Sequence, residues 1–281
     1  MKNIAILGAG VMGSGIALNL SSFGYRVILK DVDHSILEQS KERISESFRM
    51  LKMMRGEFRD MELEEILNSI SFVTDYQGFE EVDFVIENVS EDWEVKKQVY
   101  GELAELAGDN ILYGVNTSCI AITQVASLLP NPDKVIGMHF MNPVPLKDIV
   151  ELVKGFHTSQ DTIDRTKAFL KTIKKTSVVA EDMPGFIANR LSHLFMNEAA
   201  FLVQDNVGKP RDIDLLFRKG YGHAMGPLET ADLIGLDTVV DSLEVLYQSY
   251  QDPKFRCCPL LKKMVAAGLK GKKSGKGFYV Y

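Results

Sequence analysis

Two side chains in the middle of the chain have the types and spacing for proton transfer. His139 ends an apolar run, KVIGMH, and Glu151 sits inside another, IVELVK. A bare carboxylate in an apolar strand is costly to bury, so Glu151 needs a partner, and an imidazole is a good one. Only eleven residues separate the two, and Pro143 and Pro145 among them stiffen the link. A hydrogen bond between them would fix the imidazole tautomer and stabilise its protonated form. The ring could then take a proton from an alcohol while hydride leaves the same carbon. A purely structural pair would use the same two residues.

A second group of residues opens the chain. Gly8-Ala9-Gly10-Val11-Met12-Gly13 matches G-x-G-x-x-G between a predicted strand and a predicted helix, the context the motif requires. Gly8 would permit the tight turn, Gly10 would let backbone approach a pyrophosphate, and Gly13 would allow close helix–strand packing. Phosphates would sit at the helix N-terminus, where N–H groups and the helix dipole favour negative charge. Asp31 follows Gly13 by 18 residues, at the end of the second strand. There an acid accepts hydrogen bonds from the adenine ribose and repels a ribose 2'-phosphate. Val32, Asp33 and His34 supply no arginine to offset that repulsion, which favours NAD over NADP.

The elements that must position these residues follow from periodicity. Short apolar runs at 3–7, 26–30, 70–73, 83–87, 111–115 and 134–139 read as buried strands. Later strands are expected at 149–154 and 177–180. Helical spacing at 11–24, 35–55, 61–68, 92–107, 122–128 and 161–173 separates most of them. Such alternation implies parallel pairing through right-handed crossovers. After Asp182-Met183-Pro184-Gly185 the patterns are mostly helical: 186–204, 210–219, 227–234, 238–250 and 260–267. The expected fold is α/β: a Rossmann-type, mostly parallel sheet domain over 1–183, with a helical excursion at about 40–68. An all-α C-terminal domain over 184–281 follows it.

Composition narrows the field. The chain has 281 residues, and 46% hydrophobic with 25% charged residues is an ordinary globular balance. A formal charge of -6 argues against a general nucleic-acid binder. Three cysteines (Cys119, Cys257 and Cys258) with no C-x-x-C spacing suit neither a disulfide framework nor a zinc site, so no metal is expected. The opening MKNIAILGAGVMG reads as strand and turn rather than a signal peptide. No apolar run is long enough to span a membrane. A reducing cytoplasm is the expected compartment.

The chain resembles the 3-hydroxyacyl-CoA dehydrogenase family essentially end to end. The resemblance is carried by GAGVMGSGIA at 8–17, NTS at 116–118, HFMNPVP at 139–145, VELV at 150–153, PGFIANR at 184–190, GPLETADLIGLD at 226–237 and GKKSGKGFY at 271–279. It implies that His139 is the catalytic histidine and Glu151 its orienting partner. It implies that Ser118 and Asn189 contact substrate oxygens near the nicotinamide, and that Asn142 shapes the site on both the cofactor and substrate sides. Gly8, Gly10, Met12, Gly13, Asp31, Glu91, Lys96, Asn116 and Lys273 are the implied NAD-contacting positions. A homodimer through the helical domain is implied as well. Chemically, a 3-oxo thioester needs donors at its carbonyl oxygen as charge develops in reduction, and Ser118, Asn189 and protonated His139 could supply them. Ser118 could instead cap the next helix, and Asn189 could be a surface residue.

The chain departs from the family pattern at identifiable places. Asn88 stands where E-A is usual after the fourth strand, Cys119 replaces a second serine after N-T-S, and Met141 replaces a phenylalanine. A small buried thiol is the expected reading of Cys119. In the family the helical excursion contacts CoA through a serine and a lysine. Ser47 aligns with the serine, while the lysine position falls near Met54, flanked by Lys52 and Arg55. Residues 41–59 hold six basic residues and three acids. Met50, Met53 and Met54 are expected to pack rather than to line a pantetheine groove. The leading expectation is an NAD-dependent dehydrogenase of short 3-hydroxyacyl-CoA thioesters. An acyl group carried by acyl carrier protein, as in polyketide extender-unit pathways, is the variant. A dehydrogenase of free β-hydroxy acids would place a catalytic lysine where Asn189 stands. A non-catalytic NAD-binding structural protein would have no need of His139, Glu151, Ser118 and Asn189 together.

Overall fold

The structure is a computed structural model and describes residues 3–106, 108, 110–118 and 120–281. Cys119 lies outside the described residues. The chain divides into two compact units, residues 1–183 and 184–281.

The first unit is built on an eight-stranded sheet. Its strands are β1 (Asn3–Leu7), β2 (Arg26–Lys30), β3 (Ile70–Val73), β4 (Phe84–Glu87), β5 (Leu112–Val115), β6 (Val135–Phe140), β7 (Ile149–Lys154) and β8 (Thr176–Glu181). Their spatial order is β3-β2-β1-β4-β5-β6-β7-β8. The strand order reverses at β1, which lies between β2 and β4, and such a switch point opens a crevice at the strand carboxyl ends. β4 and β6 are buried along their whole length, as strands covered on both faces must be. Their side chains join those of helix α1 (Val11–Ser22) in one core that includes Ile4, Ile6, Ile16, Leu20, Phe84 and Met138.

Parallel pairing holds throughout except between β6 and β7, which are antiparallel. The cause is chain length. Only residues 141–148 link the two strands, with a 3-10 turn at Val144–Leu146, and a parallel crossover needs roughly a dozen residues or more.

The excursion between β2 and β3 contains α2 (His34–Met54) and α3 (Leu63–Asn68). Asp33 caps α2 by accepting from the Ser35 N–H at 2.7 Å. Leu37, Ser40, Ile44, Phe48 and Leu51 form its buried face. The packing expected of the methionines is not found. Met50, Met53 and Met54 are 42%, 84% and 61% exposed. Helical phase explains it: the burial stripe repeats every three or four residues, and these three fall outside it. The remaining helices of the unit are α4 (Trp93–Leu106), α5 (Ile122–Ala126) and α6 (Gln160–Thr172).

The second unit is helical: α7 (Ala188–Gln204), α8 (Pro210–Gly220), α9 (Pro227–Ile234), α10 (Leu236–Tyr250) and α11 (Pro259–Ala266). Proline opens α8, α9 and α11, where a missing N–H costs nothing. Met196, Ala200, Leu236, Val239, Leu243 and Leu261 form its core. Two buried carboxylates tie its distant motifs together. Asp214 accepts from the N–H groups of Leu228 and Glu229 and from the Tyr279 hydroxyl. Asp232 accepts from the N–H groups of Phe278 and Tyr279. Cys257 and Cys258 are buried free thiols, and burial pushes Cys257 up to about 11. Among the described residues no helix is long and apolar enough to cross a membrane.

Candidate active site

The glycine turn joins β1 to α1. Gly8 adopts φ +88°, a left-handed conformation that favours glycine. A Cβ at Gly8 would lie 2.6 Å from the Asn88 carbonyl oxygen, and one at Gly13 would lie 1.8 Å from the Gly8 oxygen. A Cβ at Gly10 would meet nothing within 4 Å. Gly8 and Gly13 therefore serve packing, while Gly10 borders open space. No side chain caps α1, and its first turn holds no acid, so its amides are available to an anion. Met12 packs against the core.

Asp31 follows β2 beside this turn. Its Oδ2 accepts from the Ala9 N–H at 2.7 Å and its Oδ1 from the Val32 N–H at 2.8 Å. A cleft of about 410 Å³ is lined by Gly8, Gly10, Asp31, Val32, Tyr76 and Asn88 among others. Glycine backbone, uncapped helix amides, a carboxylate and an apolar cleft fit the pyrophosphate, ribose and adenine of a dinucleotide.

The other end of the crevice lies beyond β4, β5 and β6. In the β6–β7 register His139 stands directly opposite Glu151. Nδ1 of His139 lies 3.0 Å from Oε2 of Glu151, and both residues are buried. A carboxylate only accepts, so Nδ1 carries the proton and Nε2 is the basic nitrogen of the neutral ring. Oγ of Ser118 lies 3.4 Å from that Nε2. Exposed Glu91 supports the turn holding Ser118, accepting from the Ser118 N–H at 2.9 Å and from the Thr117 hydroxyl. Asn116 Oδ1 accepts from the Phe140 N–H at 3.2 Å. The structure thus gathers His139, Glu151, Ser118, Glu91 and Asn116 in the first unit. Asn142 is exposed, just before the cis peptide to Pro143.

Lys96 and Ser47 lie on helices of the first unit, and Asn189 and Lys273 belong to the second unit. Lys96 is not turned toward the crevice. It is wholly buried, and its Nζ donates to both Glu87 oxygens at 2.7 Å. Tyr100 donates to the same carboxylate, as does the Val89 N–H. Burial pushes the Glu87 carboxyl up, and the Lys96 ammonium opposes that shift. The pairing that keeps this charge buried leaves Lys96 a role in holding the β4 end rather than in direct ligand contact. Ser47 is half-buried on α2. Asn189 lies in the first turn of α7, half-buried, and its carbonyl accepts from His193. Lys273 pairs with Asp237 within the second unit.

Two contributors escaped the sequence reading. Glu87, at the end of the apolar run FVIE, is like Glu151 a carboxylate that needs a partner when buried. Lys175 carried no such signal, because a lysine beside Lys174 reads as solvated. It is nevertheless 4% exposed, and its Nζ donates to the carbonyls of Val144 and Lys147 at 2.8 Å. It pins the turn between β6 and β7. Arg55 donates to the Leu146 carbonyl of the same turn at 3.1 Å.

A nucleotide crevice at the switch point, with a polarised imidazole at its far end, defines a dinucleotide-dependent oxidoreductase. Comparison with known proteins agrees. Residues 3–183 match the model of the 3-hydroxyacyl-CoA dehydrogenase NAD binding domain, and residues 185–281 match that of the 3-hydroxyacyl-CoA dehydrogenase C-terminal domain. The chain belongs to the 3-hydroxyacyl-CoA dehydrogenase family, and its cofactor is NAD. It is 39% identical to a probable 3-hydroxybutyryl-CoA dehydrogenase of Bacillus subtilis, over 100% of this chain and 98% of that one. It is 38% identical to the 3-hydroxybutyryl-CoA dehydrogenase of Clostridioides difficile, over 99% of each. The crystal structure of an (S)-3-hydroxybutyryl-CoA dehydrogenase from Ralstonia eutropha superposes with a TM-score of 0.94 at 34% identity, covering 100% of this chain and 99% of that one.

Proposed function

We propose that the protein interconverts short 3-hydroxyacyl-CoA and 3-oxoacyl-CoA thioesters, with His139 as the general acid and base. The observation that carries this reading is the His139–Glu151 pair, with Nδ1 on the carboxylate at 3.0 Å. NAD, when bound, supplies the hydride acceptor for oxidation and, as NADH, the donor for reduction.

In oxidation Nε2 of His139 removes the hydroxyl proton as the C3–H bond gives up hydride, and the C3–O bond becomes a carbonyl. Glu151 stabilises the imidazolium that forms and keeps the ring in one tautomer. In reduction the same imidazolium returns its proton to the carbonyl oxygen. Ser118, held by Glu91, donates to that oxygen as negative charge develops. Gly10 and the α1 amides would hold the cofactor phosphates, and Asp31 would hold the adenine ribose.

The names of the relatives support a short acyl group and a CoA carrier. Exposed Met54, standing where the resemblance implies a CoA-contacting lysine, supports a second reading, in which the same acyl group arrives on the phosphopantetheine arm of an acyl carrier protein without the adenosine phosphates of CoA. Exposed Leu215, Leu216 and Tyr221 in the second unit support a homodimer. The deciding experiment follows NADH absorbance with acetoacetyl-CoA and with acetoacetyl-carrier protein. Faster turnover of the CoA ester supports the first reading, and turnover of neither overturns both.

A further inference from the structure

Asn88 lies at the lip of the crevice, and the structure gives it specific work. Its backbone belongs to the cofactor end. The Asn88 N–H donates to the Leu7 carbonyl at 2.7 Å, and its own carbonyl lies against Gly8. Its side chain points the other way along the strand ends. Nδ2 donates to the Ile86 carbonyl at 3.0 Å, and Oδ1 accepts from Nδ2 of Asn116 at 2.7 Å. Asn116 passes the connection on, because its Oδ1 accepts from the Phe140 N–H.

The orientation of both amides is determined by their neighbours. A backbone N–H only donates, so Asn116 must turn its oxygen to Phe140 and its nitrogen to Asn88. A backbone carbonyl only accepts, so Asn88 must turn its nitrogen to Ile86 and its oxygen to Asn116. Each end of the chain fixes the other. The position of Phe140 gives this a consequence. Main-chain pairing between β5 and β6 extends only to Val115 and Gly137. Phe140 lies three residues further, next to His139, and a side chain takes its amide there.

We propose that Asn88 is a positioning residue, which fixes the Asn116 amide and through it the end of β6 that presents His139. This rests on the acid–base reading only for its effect on rate. The coupling itself is a statement about hydrogen bonds. An alanine at position 88 would leave Nδ2 of Asn116 without its acceptor, and the amide would then be able to turn away from Phe140.

The test compares Asn88→Ala, Asn116→Ala and the double variant, using hydrogen exchange and steady-state kinetics. Asn88→Ala should exchange the Phe140 amide faster while leaving the central β6 amides protected. Its kcat should fall on the order of tenfold with the thioester KM within about twofold, since a small misplacement of a reacting group costs rate rather than binding. The double variant should be no slower than Asn116→Ala alone, because the two residues act in series. Unchanged exchange at Phe140 in Asn88→Ala overturns the proposal. So do multiplicative rate losses in the double variant. The exchange measurement reads the coupling without catalysis, so it stands if His139 proves not to be the acid–base group. Should Asn116→Ala fail to fold, exchange in Asn88→Ala decides alone.

Discussion

His139 and Glu151 are direct cross-strand partners in the only antiparallel ladder between neighbouring strands of the described sheet. Directly opposed residues project to the same face, so pairing and orientation come from the register itself. His139→Gln should lower kcat by about 10²- to 10⁴-fold, the usual size of a general acid–base contribution. NADH affinity, read by fluorescence titration, should be unchanged. Retained turnover would remove the proposed mechanism.

Glu151→Gln keeps the shape of the partner and reverses its chemistry. An amide can donate to Nδ1, which favours the tautomer with the proton on Nε2, where the base is needed. A loss between about tenfold and 10⁴-fold is expected. The pH profile of kcat/KM should change with it, and an identical profile would argue that the carboxylate is structural only.

The glycine turn predicts a contrast between two similar variants. Gly13→Ala places a methyl 1.8 Å from the Gly8 oxygen and should destabilise the fold, by several kcal/mol on the order of other severe overpacking. Gly10→Ala meets no protein atom within 4 Å. It should melt like the wild type and bind NAD weakly. Thermal melting and calorimetric NAD titration separate the two. Normal affinity in Gly10→Ala would place the pyrophosphate elsewhere.

Asp31 carries the choice of dinucleotide. Asp31→Ser should raise the KM for NAD about tenfold, the usual worth of a hydrogen bond to a charged group. It should also narrow the preference over NADP, because the repelling carboxylate is gone. The ratio of kcat/KM for the two cofactors checks this.

Lys175 gives the stability a pH signature. Burial pulls its ammonium from the ordinary 10.5 down to about 8, with Asp148 opposing and Arg55 reinforcing that shift. Between those values the unfolded chain binds more protons than the folded one, so this group's contribution to stability rises with pH across that window. Below about 8 the cost of the buried charge is fully present. A neutral amine still has two N–H donors for the Val144 and Lys147 carbonyls. Urea midpoints of the wild type and Lys175→Met, measured from pH 7 to 10, should diverge in favour of the wild type above about pH 8. A constant difference would place the lysine titration at its ordinary value.

The sequence by itself determined the strand and helix order, the glycine turn with Asp31, the presence of a second helical region, and the pairing of His139 with Glu151. These are properties of local pattern and short separation: apolar period, turn chemistry, and the cost of an acid in an apolar run. What it left open depended on contacts between distant segments. Lys96 is implied by the resemblance to contact NAD, and only the packing of α4 against β4 shows its ammonium paired with Glu87. The methionines of α2 read as core until the phase of the helix against the sheet is fixed. Lys175 takes its role from carbonyls of the β6–β7 turn and Asn88 from the Asn116 amide beyond β5, and no local pattern encodes which backbone groups will be left beyond the end of a ladder. Only the tertiary structure made those assignments, because burial and hydrogen-bond partnership are set by which strands become neighbours.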